Sequence, residues 1–145
     1  AFTYVVPGMP MIYTGQISGN HHRLEFFEKD LIDRVENAPQ KALYKGLNDL
    51  RAANRALWSN EKGAPMVRLA ADNDKVFACV RTKECPKHGN NTVIAIMNMS
   101  AEPQTVTLDM TNLDGEYNCI CGKTMNVETS QTFELAPWKY IILTK

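Results

Sequence analysis

Four cysteines, a histidine pair and a charge-rich run are the residues of this 145-residue chain whose types could do chemistry. Cys79, Cys85, Cys119 and Cys121 match no zinc spacing, which takes paired Cys-x-x-Cys units or added histidines. Their roles stay open between buried apolar side chains or free thiols, a disulfide from Cys79 or Cys85 to one of the later pair, and a metal site. Cys119 and Cys121 lie two apart in what reads as a strand, so both are expected on one face. His21 and His22 are adjacent on a polar stretch, where neighbouring rings usually diverge rather than share a metal. Ser18 lies close to His21 but has no framework that would make it a nucleophile. Gly15-Gln16-Ile17-Ser18-Gly19 lacks the lysine of a phosphate-cradling loop. Glu25, Glu28, Asp30 and Asp33 read as solvated surface acids. Asn90-Asn91-Thr92 and Asn98-Met99-Ser100 fit the N-glycosylation pattern, which matters only in a protein secreted from a eukaryotic cell. No residue is assigned a catalytic or metal-binding role, and no cofactor is implied.

The elements that must position these residues fall into two grammars. Residues 7–16, Pro-Gly-Met-Pro-Met-Ile-Tyr-Thr-Gly-Gln, form a short apolar run between turn signals. Such a run suits a strand buried on both faces, as in a parallel sheet. No later segment supplies a second parallel strand with its crossover helix. The expectation is therefore one strand of a sheet whose other strands lie outside this sequence. Residues 17–38 read as a long polar loop, in which Phe26 and Phe27 are exposed, packed on the later half, or packed on another copy. Pro39 suits the first position of a helix, and Leu43, Leu47, Leu50, Asn54 and Leu57 recur at helical steps, with Tyr44 and Trp58 widening the stripe. That stripe is a packing face, weakened by about 1 kcal/mol at Gly46 relative to Ala.

Residues 59–65 make a Gly/Pro linker, after which the period changes to two. Strands are expected at 66–71, 76–83, 92–100, 104–110, 117–123, 131–136 and 139–144, separated by turn clusters such as Pro86-Lys87-His88-Gly89-Asn90. This spacing marks an antiparallel sandwich, with the uniformly apolar Val93-Ile94-Ala95-Ile96-Met97 as a central strand. The chain carries 16 basic and 16 acidic residues, and neither half is a basic arm. Nucleic acid and anionic membrane are therefore not indicated as partners. No apolar run approaches the roughly 18 residues of a membrane span. Absence of a signal peptide leaves localisation open, because the sequence starts inside a motif and reads as a piece of a longer protein.

The ten residues 7–16 resemble the eighth-strand segment of α-amylase-type enzymes, glycoside hydrolase family 13. Arg23-Leu24-Glu25-Phe26-Phe27-Glu28-Lys29-Asp30 is similar to the loop after that strand, and Ala1-Phe2-Thr3-Tyr4-Val5-Val6 to the helix end before it. Ile17 stands where the family has Glu, so no role is carried over to that position. Ala95-Ile96-Met97-Asn98-Met99-Ser100 resembles a strand end of the domain that follows the barrel. The resemblance implies two parts. Residues 1–58 would be the final strand, loop and helix of an eight-fold β/α barrel, and residues 59–145 a Greek-key-type antiparallel β-sandwich. The fold class expected is mainly β with one long helix.

The resemblance also implies that the parent performs retaining hydrolysis or transfer at α-glucosidic bonds of starch-like glucans. Its catalytic acids would lie upstream of Ala1, an Asn-His-Asp triplet would stand shortly before this start, and this chain alone is expected to be inactive. Its partner would be the rest of the parent barrel, and secretion or a periplasmic location is one option for that parent. Tyr13 and Gln16 would end the barrel strand at the face where barrel active sites form, and so line or brace a sugar cleft. Trp138 and Tyr140, two apart, would share one face of the last strand as a stacking platform for sugar, with Tyr117 a possible third ring, or else anchor the core. An independent carbohydrate-binding module and an interaction domain self-associating through residues 1–38 are the competing roles.

Overall fold

The computed structural model describes residues 1–32, 38–86 and 89–145. Asp33, and Lys87 and His88 of one expected turn, lie outside the described residues. A single helical turn, α1 (Phe2–Val5), opens the chain, and the long helix α2 spans Pro39–Ala53. Eight strands follow: β1 (Val67–Arg68), β2 (Val76–Lys83), β3 (Asn91–Asn98), β4 (Gln104–Asp109), β5 (Gly115–Cys119), β6 (Thr124–Val127), β7 (Ser130–Leu135) and β8 (Tyr140–Thr144). They form a six-stranded sheet in the order β1-β2-β3-β8-β5-β6 and a two-stranded sheet β4-β7, antiparallel throughout. The chain crosses between the sheets four times, from β3 to β4, β4 to β5, β6 to β7 and β7 to β8, and β8 returns beside β3. The architecture is the expected β-sandwich with one long helix.

Period-two alternation explains why the large sheet is buried on both faces. From β3, Ile94 and Ile96 point into a core shared with Val106, Leu108, Phe133 and Leu135 of the small sheet. Val93, Ala95 and Met97 point the other way, into a second core with Tyr4, Val5, Leu47, Leu50 and Leu57. This double burial is the physical source of the uniformly apolar run at 93–97. The sandwich is therefore covered on its outer face by α1, α2 and the turns after α2.

Several boundaries differ from expectation. Helix α2 stops at Ala53 because Asn54 leaves helical geometry and donates both its backbone N–H (3.1 Å) and its side-chain Nδ2 (2.7 Å) to the Leu50 carbonyl. A short polar side chain that satisfies the last carbonyl turn is a helix end, though its position fits the apolar stripe. A 3₁₀ turn, Arg55–Leu57, then carries Leu57 inward, while Leu43 remains exposed. The expected strand at 117–123 ends at Cys119: residues 120–122 form a tight turn, with Gly122 at φ 82°, and β6 begins only at Thr124. Cys121 therefore lies in a turn and does not share a strand face with Cys119. All four cysteines are free, so the disulfide alternative is not realised. Cys79 is buried on the outer face of β2, while Cys119 and Cys121 sit at the tip of the β5–β6 hairpin, which begins three strands away.

Residues 7–16 form no strand. Their extended backbone joins no ladder, and Met9, Met11 and Tyr13 are exposed rather than buried on two faces. A strand exists through its partners, and the eight strands present are committed to the two sheets. Phe26 and Phe27 pack edge-to-face on each other at 4.8 Å and are 87% and 90% exposed, the first of the three outcomes considered.

Candidate functional site

Tyr13 and Gln16 are brought together. A glycine at 15 with φ 85° turns the chain, Gln16 N donates to the Tyr13 carbonyl at 3.1 Å, and Tyr13 N donates to Gln16 Oε1. The Gln16 amide thus finds its partner in its own turn. The Tyr13 ring, 61% exposed, has no cover. Trp138 and Tyr140 are not brought together. Trp138 sits in the turn before β8 with φ 58°, a left-handed conformation uncommon for a bulky residue, and its N–H donates to the Ser100 carbonyl at 3.1 Å. The strand begins only at Tyr140, so two-residue alternation does not extend back to the indole. Trp138 points to solvent at 62% exposure, while Tyr140 is half-buried against the second core. Tyr117 is buried in the first core and cannot join a platform.

Three open clefts surround the junction after α2. One of about 390 Å³ is lined by Met9, Asn48, Arg51, Ala52, Trp58 and Ser59. A second, about 610 Å³, runs over residues 58–62, and a third, about 600 Å³, reaches Arg81 and Lys83. A retaining glycosidase needs two carboxyl groups about 5–5.5 Å apart. Among the described residues, Glu61 is the only carboxylate lining these three clefts, which therefore hold no acid pair. Among the described residues no cluster of three metal-ligating side chains forms. His22 Nε2 lies 3.2 Å from Asp30 Oδ2. The Asp30 carboxyl is held below its usual range, first by the Glu25 N–H and then by His22, so this pair closes a loop on itself.

The residue that organises the junction is Arg81, which periodicity did not single out. Only 3% exposed on β2, its guanidinium donates from Nε to the Ala64 carbonyl (3.0 Å), from Nη1 to those of Val5 and Val6 (3.2 and 3.3 Å), and from Nη2 to that of Trp58 (3.1 Å). Burial depresses its proton affinity, helped by the charge of Arg51. Among the described residues its hydrogen-bond partners are all backbone carbonyls. Gly63 is required here: a Cβ at that position would lie 1.8 Å from the Trp58 carbonyl oxygen. Arg51 repeats the device nearer the surface, donating to the Gly8 carbonyl (2.8 Å) and to Ser59 Oγ (2.7 Å). Asn91 completes the junction from β3, accepting the Ala56 N–H at 2.9 Å and donating to Asn54 Oδ1 at 3.0 Å.

Asn98 plays the same part at the other end of β3. Its Nδ2 donates to the carbonyls of Glu102, Leu135 and Ala136, and its Oδ1 accepts from Ser100 N–H and hydroxyl. At 2% exposure with its amide nitrogen engaged, Asn98 is closed to glycosylation in the folded chain, whereas Asn90 is exposed. The Asn-then-Ser strand end is a turn clamp.

No protein-family model matches the chain. Alpha-amylase MalA of Haloarcula japonica is 28% identical over 143 residues, covering 90% of this chain and 20% of that protein. The maltogenic α-amylase AmyB of Thermotoga neapolitana superposes with a TM-score of 0.79 at 19% identity, over 99% of this chain and 34% of that one. An Anoxybacillus α-amylase superposes at 0.78 and 19%, over 99% and 30%. At these identities the structural likeness is one of fold. Alongside the sequence match to one α-amylase, the chain shares its fold over nearly its whole length with part of these α-amylase structures. The chain spans about a fifth of the curated relative's length.

Proposed function

We propose that this chain is the structural, non-catalytic C-terminal portion of an α-glucan-acting glycoside hydrolase that works with retention in the intact parent. One observation carries the reading. The last helix and the segment ahead of it are docked on the sandwich through Tyr4, Val5, Leu47, Leu50 and Leu57, with Arg81 gathering four carbonyls from three separate stretches of chain. On this reading residues 1–58 are the closing part of a β/α barrel and residues 59–145 the sandwich that braces it. Burying each leucine fully contributes on the order of 1.5–3 kcal/mol before entropy. Residues 7–31 also offer Met9, Met11, Tyr13, Ile17, Phe26, Phe27 and Leu31 to solvent. The rest of the barrel is the partner that would cover them, since so many large exposed apolar side chains in one stretch point to an interface. Removing residues 59–145 from the parent enzyme tests the role: the truncated enzyme is expected to lose thermal stability, and an unchanged Tm contradicts it.

A second reading, an independent sugar-binding module, is favoured by the single solvent-facing indole of Trp138. Titration of the chain with maltooligosaccharides, followed by Trp fluorescence, separates the two. Saturable binding abolished by Trp138→Ala supports the module, and a flat titration supports the structural role. Self-association through residues 1–38 is tested by sedimentation of the chain against one starting at Gln40.

A further inference from the structure

We propose that the turn joining β5 to β6 is a site of thiol–disulfide exchange, at which Cys121 accepts half of a low-molecular-weight disulfide and Cys119 displaces it. The turn is built tightly. Cys119 N donates to the Lys123 carbonyl at 2.7 Å, Gly122 N donates to the Cys119 carbonyl at 2.9 Å, and Gly122 takes φ 82°. Ile120 N donates to the Ile142 carbonyl at 3.1 Å, which fixes the turn to β8. Within it, Cys121 N donates to Cys119 Sγ at 3.3 Å, which holds the two cysteines side by side.

The two sulfurs differ in what surrounds them. Cys121 is exposed, whereas Cys119 is half-buried and packs against the first core. The Cys121 thiol is held below its ordinary range, first by Cys119 beside it and then by the Lys123 backbone, whereas burial pushes the Cys119 thiol up. Exchange proceeds through the thiolate, so Cys121 attacks and Cys119 resolves. In the first step the Cys121 sulfur bonds to one sulfur of the small disulfide, its S–S bond breaks, and one thiolate leaves. In the second step the Cys119 thiolate attacks the Cys121 sulfur and expels the other half. The two cysteine protons end on two small thiols, and the electron pair gained by the small disulfide comes from the cysteines.

The other cysteines provide internal controls. Cys85, partly exposed beside Arg55, faces no second thiol, and Cys79 is buried with its pKa pushed up to about 11 by desolvation. The test incubates the reduced chain with oxidised glutathione near neutral pH, blocks remaining thiols with iodoacetamide and maps peptides by mass. The wild type is expected to carry a Cys119–Cys121 disulfide with no glutathione retained on either, while any adduct at Cys85 stays unresolved. Cys119→Ser, or the apolar Cys119→Ala should Ser disturb the core, is expected to trap one glutathione on Cys121. In Cys121→Ser, modification of Cys119 is expected to slow at least about ten-fold. Glutathione persisting on Cys121 in the wild type, or Cys119 reacting at the wild-type rate in Cys121→Ser, overturns the proposal.

Discussion

Residues 7–32 and the sandwich meet the same demand, to satisfy backbone polar groups and cover apolar side chains, with different resources. In the sandwich every strand has a ladder partner, and β3 buries side chains on both of its faces. Residues 7–32 have only short turns such as 13–16 and 15–20, and their large apolar side chains face solvent. Two stretches of similar apolar content therefore end in opposite states. The difference lies in whether partners exist in the same chain, not in local propensity. Between them sits a junction held by polar clamps, with Arg81, Asn91 and Asn54 joining the helix end to the sheet.

The largest expected effect comes from cutting that junction. Arg81→Met removes donors from four carbonyls and should cost about 4 kcal/mol in urea unfolding, a large share of a domain's margin. A loss below about 1 kcal/mol would mean the carbonyls find water and the junction is not a clamp. Asn91→Ala removes the contacts to Ala56 and Asn54 and is expected to cost about 2 kcal/mol, read the same way.

Cys79 gives a smaller effect, confined to alkaline solution. Burial keeps its thiol protonated up to about 11, against 9.0 in an open chain. As pH rises the unfolded chain loses this proton first, so stability present below pH 9 falls away between 9 and about 11. Cys79→Ala should shrink that decline in urea midpoints measured across the window; an identical decline refutes the assignment.

Gly46→Ala meets no atom within 4 Å and should stabilise by about 1 kcal/mol, seen as a raised midpoint. Met11→Ser, in the exposed segment, should change stability by less than about 0.5 kcal/mol. A larger loss there would erase the contrast between the two regions.

The fold was legible where one period ruled a whole element. The strand at 76–83 matches β2 at both ends, and the apolar run at 93–97 marks the central strand because double burial leaves no polar alternation. The end of α2 was not legible, since Asn54 occupies a stripe position and acts through its side chain on Leu50. Nor was β6, because a tight Gly turn within 117–123 looks like continued strand until its hydrogen bonds are seen. Trp138 is legible as an aromatic near a strand start, but its left-handed backbone breaks the alternation that would pair it with Tyr140. Arg81 reads as one polar residue of a strand. Its acceptors lie 17 to 76 residues away, beyond any local pattern.

The contrast between a clamped junction and an uncovered segment is tested most directly by native-state hydrogen exchange on the full chain. Amides of α2 and of β3 should exchange slowly and share one opening energy, while those of residues 7–31 exchange near the rate of open chain. Slow exchange across 7–31, matching β3, or fast exchange throughout α2, would contradict the account.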